Sequence, residues 1–151
     1  NAVSVENDLM KLYSQRILAL AADMPRTDRL VNPTATAKKR APLCGSTVTV
    51  DVTLSDGIIR DYGQDVKACA LGQAAASVVG AAIVGLTPHD VQTGRDQMMA
   101  MLKDDGPVPA APFDGLEVLR PASEYKNRHA SIMLAFDATL AAIASAQTDC
   151  A

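Results

Sequence analysis

The stretch Thr47–Leu54, TVTVDVTL, is followed after Ser55 by Asp56-Gly57, and together these decide the first part of the fold. β-Branched residues at alternate positions favour a pleated backbone. Val48, Val50, Val52 and Leu54 then turn to one face, and Thr47, Thr49, Asp51 and Thr53 to the other. Asp and Gly both accept positive φ, which a two-residue hairpin turn requires. A return strand from Ile58 to about Gln64 is expected, although Asp61 and Gly63 interrupt its apolar series. A third short strand is expected from Val66 to Cys69. The result is a three-stranded antiparallel sheet with one face on helices and the other partly wet.

Helical spacing surrounds this sheet. Leu9, Leu12, Tyr13, Arg16, Ile17 and Leu20 place a first helix over about Glu6 to Ala22, stopped by Pro25. Residues Arg26 through Pro42 read as an irregular crossing, with Asn32-Pro33 as a turn. Ala70 to Val84 reads as helix despite Gly72 and Gly80. Each glycine costs about 0.8–1 kcal/mol there, which points to close backbone contact. Thr87 caps the next helix, Pro88 fits its first position, and Asp90 suits its first turn. This helix should reach about Leu102, with Met98, Met99, Met101 and Leu102 serving packing rather than a binding groove. Asp104 to Pro121 reads mostly as loop, tied down by Leu116, Val118 and Leu119. The final helix is expected from near Ser123 to about Ala146, with Tyr125, Ile132, Phe136, Leu140 and Ile143 as its apolar stripe.

The fold class is therefore α+β, a small sheet packed against several helices. The 151 residues suit a single domain, residues 1–151 with frayed termini. A net charge of −3 argues against nucleic acid, which calls for a basic stripe. Lys38, Lys39 and Arg40 form a basic cluster too short to supply one. No uninterrupted apolar run reaches the roughly 18 residues of a membrane span. Ala68 to Leu86 comes nearest, and Gln73, Ser77 and its glycines suit a soluble helix. Without a secretory signal or a dense cysteine framework, a cytoplasmic location is expected.

The chemistry rests on Cys44 and Cys69. The first precedes a strand, the second lies where strand passes to helix, and sheet closure can bring those ends together. A helix N-terminus at Cys69 favours thiolate. Two thiolates suit zinc, iron or sulfur transfer. Zinc would need further donors, for which His129 and water are candidates. Sulfur transfer needs only one exposed nucleophile, and ordinary buried cysteines remain the plain alternative. Cys150, near the C-terminus, reads as a free terminal thiol.

In order along the chain, NP, PLCGS, DG, CALGQAAAS and RHASIMLAFDA resemble the iron–sulfur cluster assembly scaffolds of the IscU/SufU and NifU N-terminal family. The likeness spans roughly Leu9 to Ala144. It implies a compact SufE/NifU-like α+β scaffold, more a non-enzymatic holder than an enzyme. Such a scaffold receives sulfur from a cysteine desulfurase, assembles a transient iron–sulfur cluster and passes it to acceptor proteins. Some branches bind zinc instead. The family site combines three cysteines with an aspartate. Carried over, the first two cysteines fall on Cys44 and Cys69, and the aspartate falls on Ser46. Matching LAFDA without a gap puts the third cysteine at Ser131, whereas matching the family's histidine-cysteine pair puts it at Ala130. The Ser131 register displaces His129 by one residue from the family histidine. The resemblance thus implies a divergent ligand set of Cys44, Cys69 and His129, with Ser46 and Ser131 beside them. A second subunit or a small thiol can complete the shell. EVLRPASEYKNR, residues 117–128, is a candidate partner loop. A sulfur acceptor using a cysteine persulfide, or an interaction protein with a degenerate site, is the alternative function.

Overall fold

The computed structural model describes residues 12–149. Its sheet runs β1 (Ala35–Arg40), β2 (Thr47–Ser55) and β3 (Ile58–Lys67), antiparallel and in that spatial order. The helices are α1 (Gln15–Ala22), α2 (Ala70–Ala82), α3 (Pro88–Asp104) and α4 (His129–Asp149). Short 3₁₀ segments, Asp114–Glu124 and Lys126–Arg128, lead into α4.

The alternation of β2 holds where it faces the helices. Val48, Val50 and Val52 are fully buried and lie opposite Val66, Gln64 and Tyr62 of β3. Asp56 and Gly57 adopt positive φ of 54° and 74°, as the hairpin requires. Between Thr53 and Leu54 the register slips. This β-bulge lets Ile59 and Tyr62, an odd and an even position, both reach the core.

Three expectations about the sheet are corrected. β3 continues through Lys67, so Val66 to Cys69 is not a separate third strand. The third strand is β1, which lies inside the segment read as an irregular crossing. Its inward residues, Ala35 and Ala37, are too small and its outer ones too charged to show an apolar alternation. Asp51 does not face water. Its carboxylate is buried and accepts from the Arg29 guanidinium at 2.6 and 3.0 Å, from the Leu30 amide at 3.0 Å and from the Thr36 hydroxyl. Residues 28–30 reach it because Gly63 stands opposite Asp51. A Cβ there would lie 2.5 Å from the Asp28 carbonyl oxygen. The same segment closes the open edge of β3, where the Gln64 amide donates to the Arg26 carbonyl at 2.9 Å.

The helices follow their caps. Ser14 caps α1 by accepting from the Ile17 amide, so α1 begins at Gln15 and the helix expected over Glu6–Ala22 is interrupted at Tyr13–Ser14; its portion before residue 12 lies outside the described residues. α2 ends at Ala82 rather than Val84. Thr87 and Asp90 form a reciprocal capping box at α3, with Pro88 in the first turn. Met98, Met101 and Leu102 are buried core residues. The loop expected from Asp104 to Pro121 is irregular over residues 105–113 and turns 3₁₀ from Asp114 onward. Phe113 anchors it edge-on to Phe136, with ring centroids 5.1 Å apart. Leu116 and Leu119 are buried, as expected. α4 starts at His129 rather than near Ser123, so Tyr125 lies outside it, and its inward face carries Ile132, Phe136 and Ile143. The Lys126–Thr148 stretch, not Ala68–Leu86, is long and apolar enough to cross a membrane by composition. Two-thirds of it is buried against β1, β2, α2 and α3, as befits a core helix.

Asp51→Ala leaves the Leu30 amide and Thr36 hydroxyl without their acceptor. It should lower unfolding free energy by about 2–4 kcal/mol in urea titrations at pH 7. Its hydrogen-bond partners hold the Asp51 pKa below the ordinary value, against the opposing effect of burial. The stabilisation is therefore present above the unfolded carboxylate pKa of about 3.9 and is lost as pH falls through the lower folded value. Asp51→Asn should flatten that acid limb of the stability profile.

Candidate functional site

β1 and β2 are joined by residues 41–46, a tight turn closed by the Ala41 amide on the Ser46 carbonyl and the Gly45 amide on the Ala41 carbonyl, both at 2.9 Å. Gly45 supplies the positive φ of 74°. Cys44 projects from this turn and is exposed, next to Leu43, which is 81% exposed. Ser46, at the foot of β2, is buried. On the other side Cys69 is the N-cap of α2, extended in backbone and half-buried. Ser131 is the third residue of α4 and is buried between the two.

The four side chains form a continuous line. Cys44 Sγ lies 3.0 Å from Ser46 Oγ, the Ser131 hydroxyl donates to Ser46 Oγ at 3.2 Å, and Cys69 Sγ lies 3.6 Å from Ser131 Oγ. Sheet closure thus brings the two thiols to one pole. Each hydroxyl has a single proton. In the two thiol contacts either atom can be the donor, so Ser46 and Ser131 bridge Cys44 and Cys69 without a fixed sense. Hydrogen bonding from Ser46, first through its side chain and then through its backbone, holds the Cys44 pKa below the ordinary thiol value.

α2 and α4 must approach closely for this to happen. A Cβ on Gly72 would meet Ser131 Oγ at 2.7 Å, Ala68 Cβ at 2.9 Å and the Ser131 carbonyl oxygen at 3.1 Å. The glycine that looked costly in an alanine-rich helix is what lets Ser131 stand beside Cys69.

The other candidates sit elsewhere. His129 is buried, and its Nε2 lies 3.0 Å from the Ala122 carbonyl oxygen and 3.1 Å from that of Ser123. Two acceptors make Nε2 the protonated nitrogen, so His129 ties the 3₁₀ segment to α4 and takes no part in the thiol line. Its ring lines a separate cavity of about 590 Å³ with Met99, Met133 and Lys126. Ala130, the alternative position for a third cysteine, is exposed, whereas Ser131 faces the thiols. Cys150 lies outside the described residues. Among the described residues no group of three or more His, Cys, Asp and Glu side chains is placed to hold a metal ion. The serines were noticed in sequence only as family positions, and their bridging role depends on partners 62 and 85 residues away in sequence.

The fold has close counterparts. A NifU-like protein (N-terminal) from Brucella abortus is 40% identical, aligned over 93% of this chain and 98% of its own, with a TM-score of 0.91. The chain belongs to the NifU-like family. A candidate iron–sulfur cluster assembly scaffold for the SUF system from thermophilic Fervidobacterium islandicum shares the fold at 18% identity. It is aligned over 88% of this chain and 97% of its own, with a TM-score of 0.77. A hypothetical protein solved at 2.3 Å shares it at 19% identity and a TM-score of 0.79, aligned over 89% of this chain and 98% of its own. No protein-family model matches the sequence, and no curated protein matches it. The three-stranded sheet against helices expected from the sequence is the NifU-like fold.

Ser46→Ala removes the leading cause of the low Cys44 pKa. In peptide-resolved alkylation across pH, the Cys44 midpoint should move up toward the ordinary thiol value of about 8.5. Gly72→Ala should cost about 1–3 kcal/mol through overpacking, and should shift the alkylation rates of both cysteines by displacing Ser131.

Proposed function

We propose that this NifU-like protein is a divergent iron–sulfur cluster assembly scaffold whose cargo is held by Cys44 and Cys69. The observation that carries this reading is the continuous line joining both thiols through Ser46 and Ser131. Two soft sulfur donors at one pole, one of them exposed and with its pKa lowered by Ser46, suit iron and sulfide, and also zinc. Serine hydroxyls replace the charged members of the family set, so each chain offers two strong donors. A two-iron cluster takes four terminal ligands. A second copy of the chain supplies the remaining pair, which makes the loaded form a homodimer. Sulfur arrives from a cysteine desulfurase or a comparable donor, and acceptor proteins take the finished cluster. A reducing compartment, the cytoplasm, keeps both thiols free.

A second reading, a sulfur acceptor carrying a persulfide, is favoured by the exposure of Cys44 and its low pKa. Holding cargo and receiving sulfur use the same thiol and are compatible.

Anaerobic reconstitution with ferrous iron and sulfide, followed by metal and sulfide analysis, tests the scaffold. Cys44→Ala and Cys69→Ala should each lose the retained iron and sulfide while keeping the helical circular dichroism. His129→Ala should be less stable yet retain both components, because its Nε2 is held by the Ala122 and Ser123 carbonyls. Undiminished retention in either cysteine variant removes the shared site. Stoichiometric zinc without cluster formation would narrow the cargo to one metal ion.

A further inference from the structure

We propose that the free edge of β1 docks an extended acidic segment of a partner protein, alternating acidic and aliphatic residues, as a fourth strand of the sheet. The two edges of the sheet differ. Along β3 the outward groups are already used. The Gln64 amide donates to the Arg26 carbonyl and the Ile59 amide to the Leu86 carbonyl, both at 2.9 Å, and the Ile59 carbonyl accepts from Gly85 at 2.8 Å. β1 pairs with β2 on one side and with no strand on the other. An antiparallel ladder bonds alternate residues of a strand to a given neighbour. The Ala41 amide donates to the Ser46 carbonyl, which puts Lys39, Ala37 and Ala35 in the ladder opposite Val48, Val50 and Val52. The amides and carbonyls of Thr36, Lys38 and Arg40 therefore turn outward, and among the described residues no backbone partner takes them.

Charge and shape select the occupant. Lys38, Lys39 and Arg40 are consecutive and exposed on a chain whose net charge is −3. Lys38 and Arg40 share the outer sheet face with Thr36, and acidic side chains of an added strand stand opposite them there. On the inner face the edge opens on a cavity of about 470 Å³ between β1 and α4, walled by Leu134, Leu140 and Ala141, with Lys39 beside them. Asp137 also lines this cavity, but the Arg95 guanidinium holds it at 3.3 Å. Successive side chains of a strand point to opposite faces, so the aliphatic residues of the added strand enter the cavity while the acidic ones meet the cations. In such a complex main-chain bonds supply affinity and the side-chain pockets supply selectivity. Lysines on an open edge keep sheets from joining indiscriminately. Here they bar a second copy of the chain, whose β1 would bring like charges against them, and admit a strand of opposite charge. β1 runs directly into the turn that carries Cys44, so a partner seated on this edge is brought to the thiol pole. The docking does not depend on what the thiols carry.

The experiment titrates the full, isotope-labelled chain with a short capped peptide alternating glutamate and valine, and follows amide shifts and amide exchange by NMR. Binding should be saturable, with shifts confined to β1 and the α4 residues of the cavity. Exchange at the Thr36, Lys38 and Arg40 amides should slow at least about tenfold, while Ala37 and Lys39, already in the ladder, change little. A lysine–valine peptide should not bind. The triple variant Lys38→Ser/Lys39→Ser/Arg40→Ser, with unchanged circular dichroism, should bind the glutamate–valine peptide at least about tenfold more weakly. The glutamate–valine peptide N-methylated at its glutamates, and another N-methylated at its valines, keep the charge but each lose one row of donors. One of the two should lose binding at least about tenfold, a result that simple ionic adhesion would not give. Absence of binding, equal binding by both N-methylated peptides, or undiminished binding by the triple variant would each overturn the proposal. So would protection of the three amides in the free chain. If that protection vanishes on removal of residues 1–11, the edge belongs to the chain's own N-terminal segment, and if it rises with protein concentration, to a second copy.

Discussion

The site depends on the closeness of two helices at one residue. Helix backbones approach this nearly only where no side chain intervenes, and Gly72 provides that gap opposite Ser131. Residue 72 lies one turn into α2, and its neighbours Leu71, Ala74, Ala75 and Ala76 are buried in the same packing. With α2 and α4 pressed together there, the cap of one helix and the first turn of the other fall side by side. Cys69 and Ser131 are those two positions. The β1–β2 turn then needs to deliver only Ser46 and Cys44 to complete the line.

That turn is held from the opposite side of the sheet. Thr36, Asp51 and Gly63 stand in one cross-strand row, and the Arg29–Leu30 backbone lies over them. A carboxylate with several donors in a dry setting fixes its surroundings more firmly than an exposed ion pair does. Here it fastens the segment between α1 and β1 onto both β1 and β2. The strands that carry the Cys44 turn are thereby coupled to the helical layer through the sheet face that composition assigned to water.

The contrast between what could and could not be read from sequence follows from range. The valine alternation, the Asp56-Gly57 turn and the Thr87–Asp90 capping box are local, so their residues announce them directly. Asp51 looks solvent-facing because alternation places it away from the valines, and its partners at Thr36, Leu30 and Arg29 are 15, 21 and 22 residues distant in sequence. β1 escaped detection because alanines at its inward positions carry no apolar signal. The two cysteines were legible as a pair, since both flank strand ends that a closed sheet brings together. Ser46 and Ser131 were not legible as a bridge, because a serine means nothing chemically until its neighbours are known. The family register pointed to both positions without showing that they meet.

Replacing charged donors by hydroxyls changes what such a site can do. A carboxylate and a third thiolate would add negative charge and hold a cation firmly. Two neutral hydroxyls add none, so on the proposed reading a cation would be held by the two thiols at most and would be more readily passed on. The hydroxyls contribute something that the charged donors do not, since each accepts one proton while giving up another. Linked in line, they join Cys44 to Cys69 through contacts in which a hydroxyl can donate or accept. Under the proposed reading, a site that adds no charge beyond its two thiols would favour transfer over storage, and that follows from the same pair of serines.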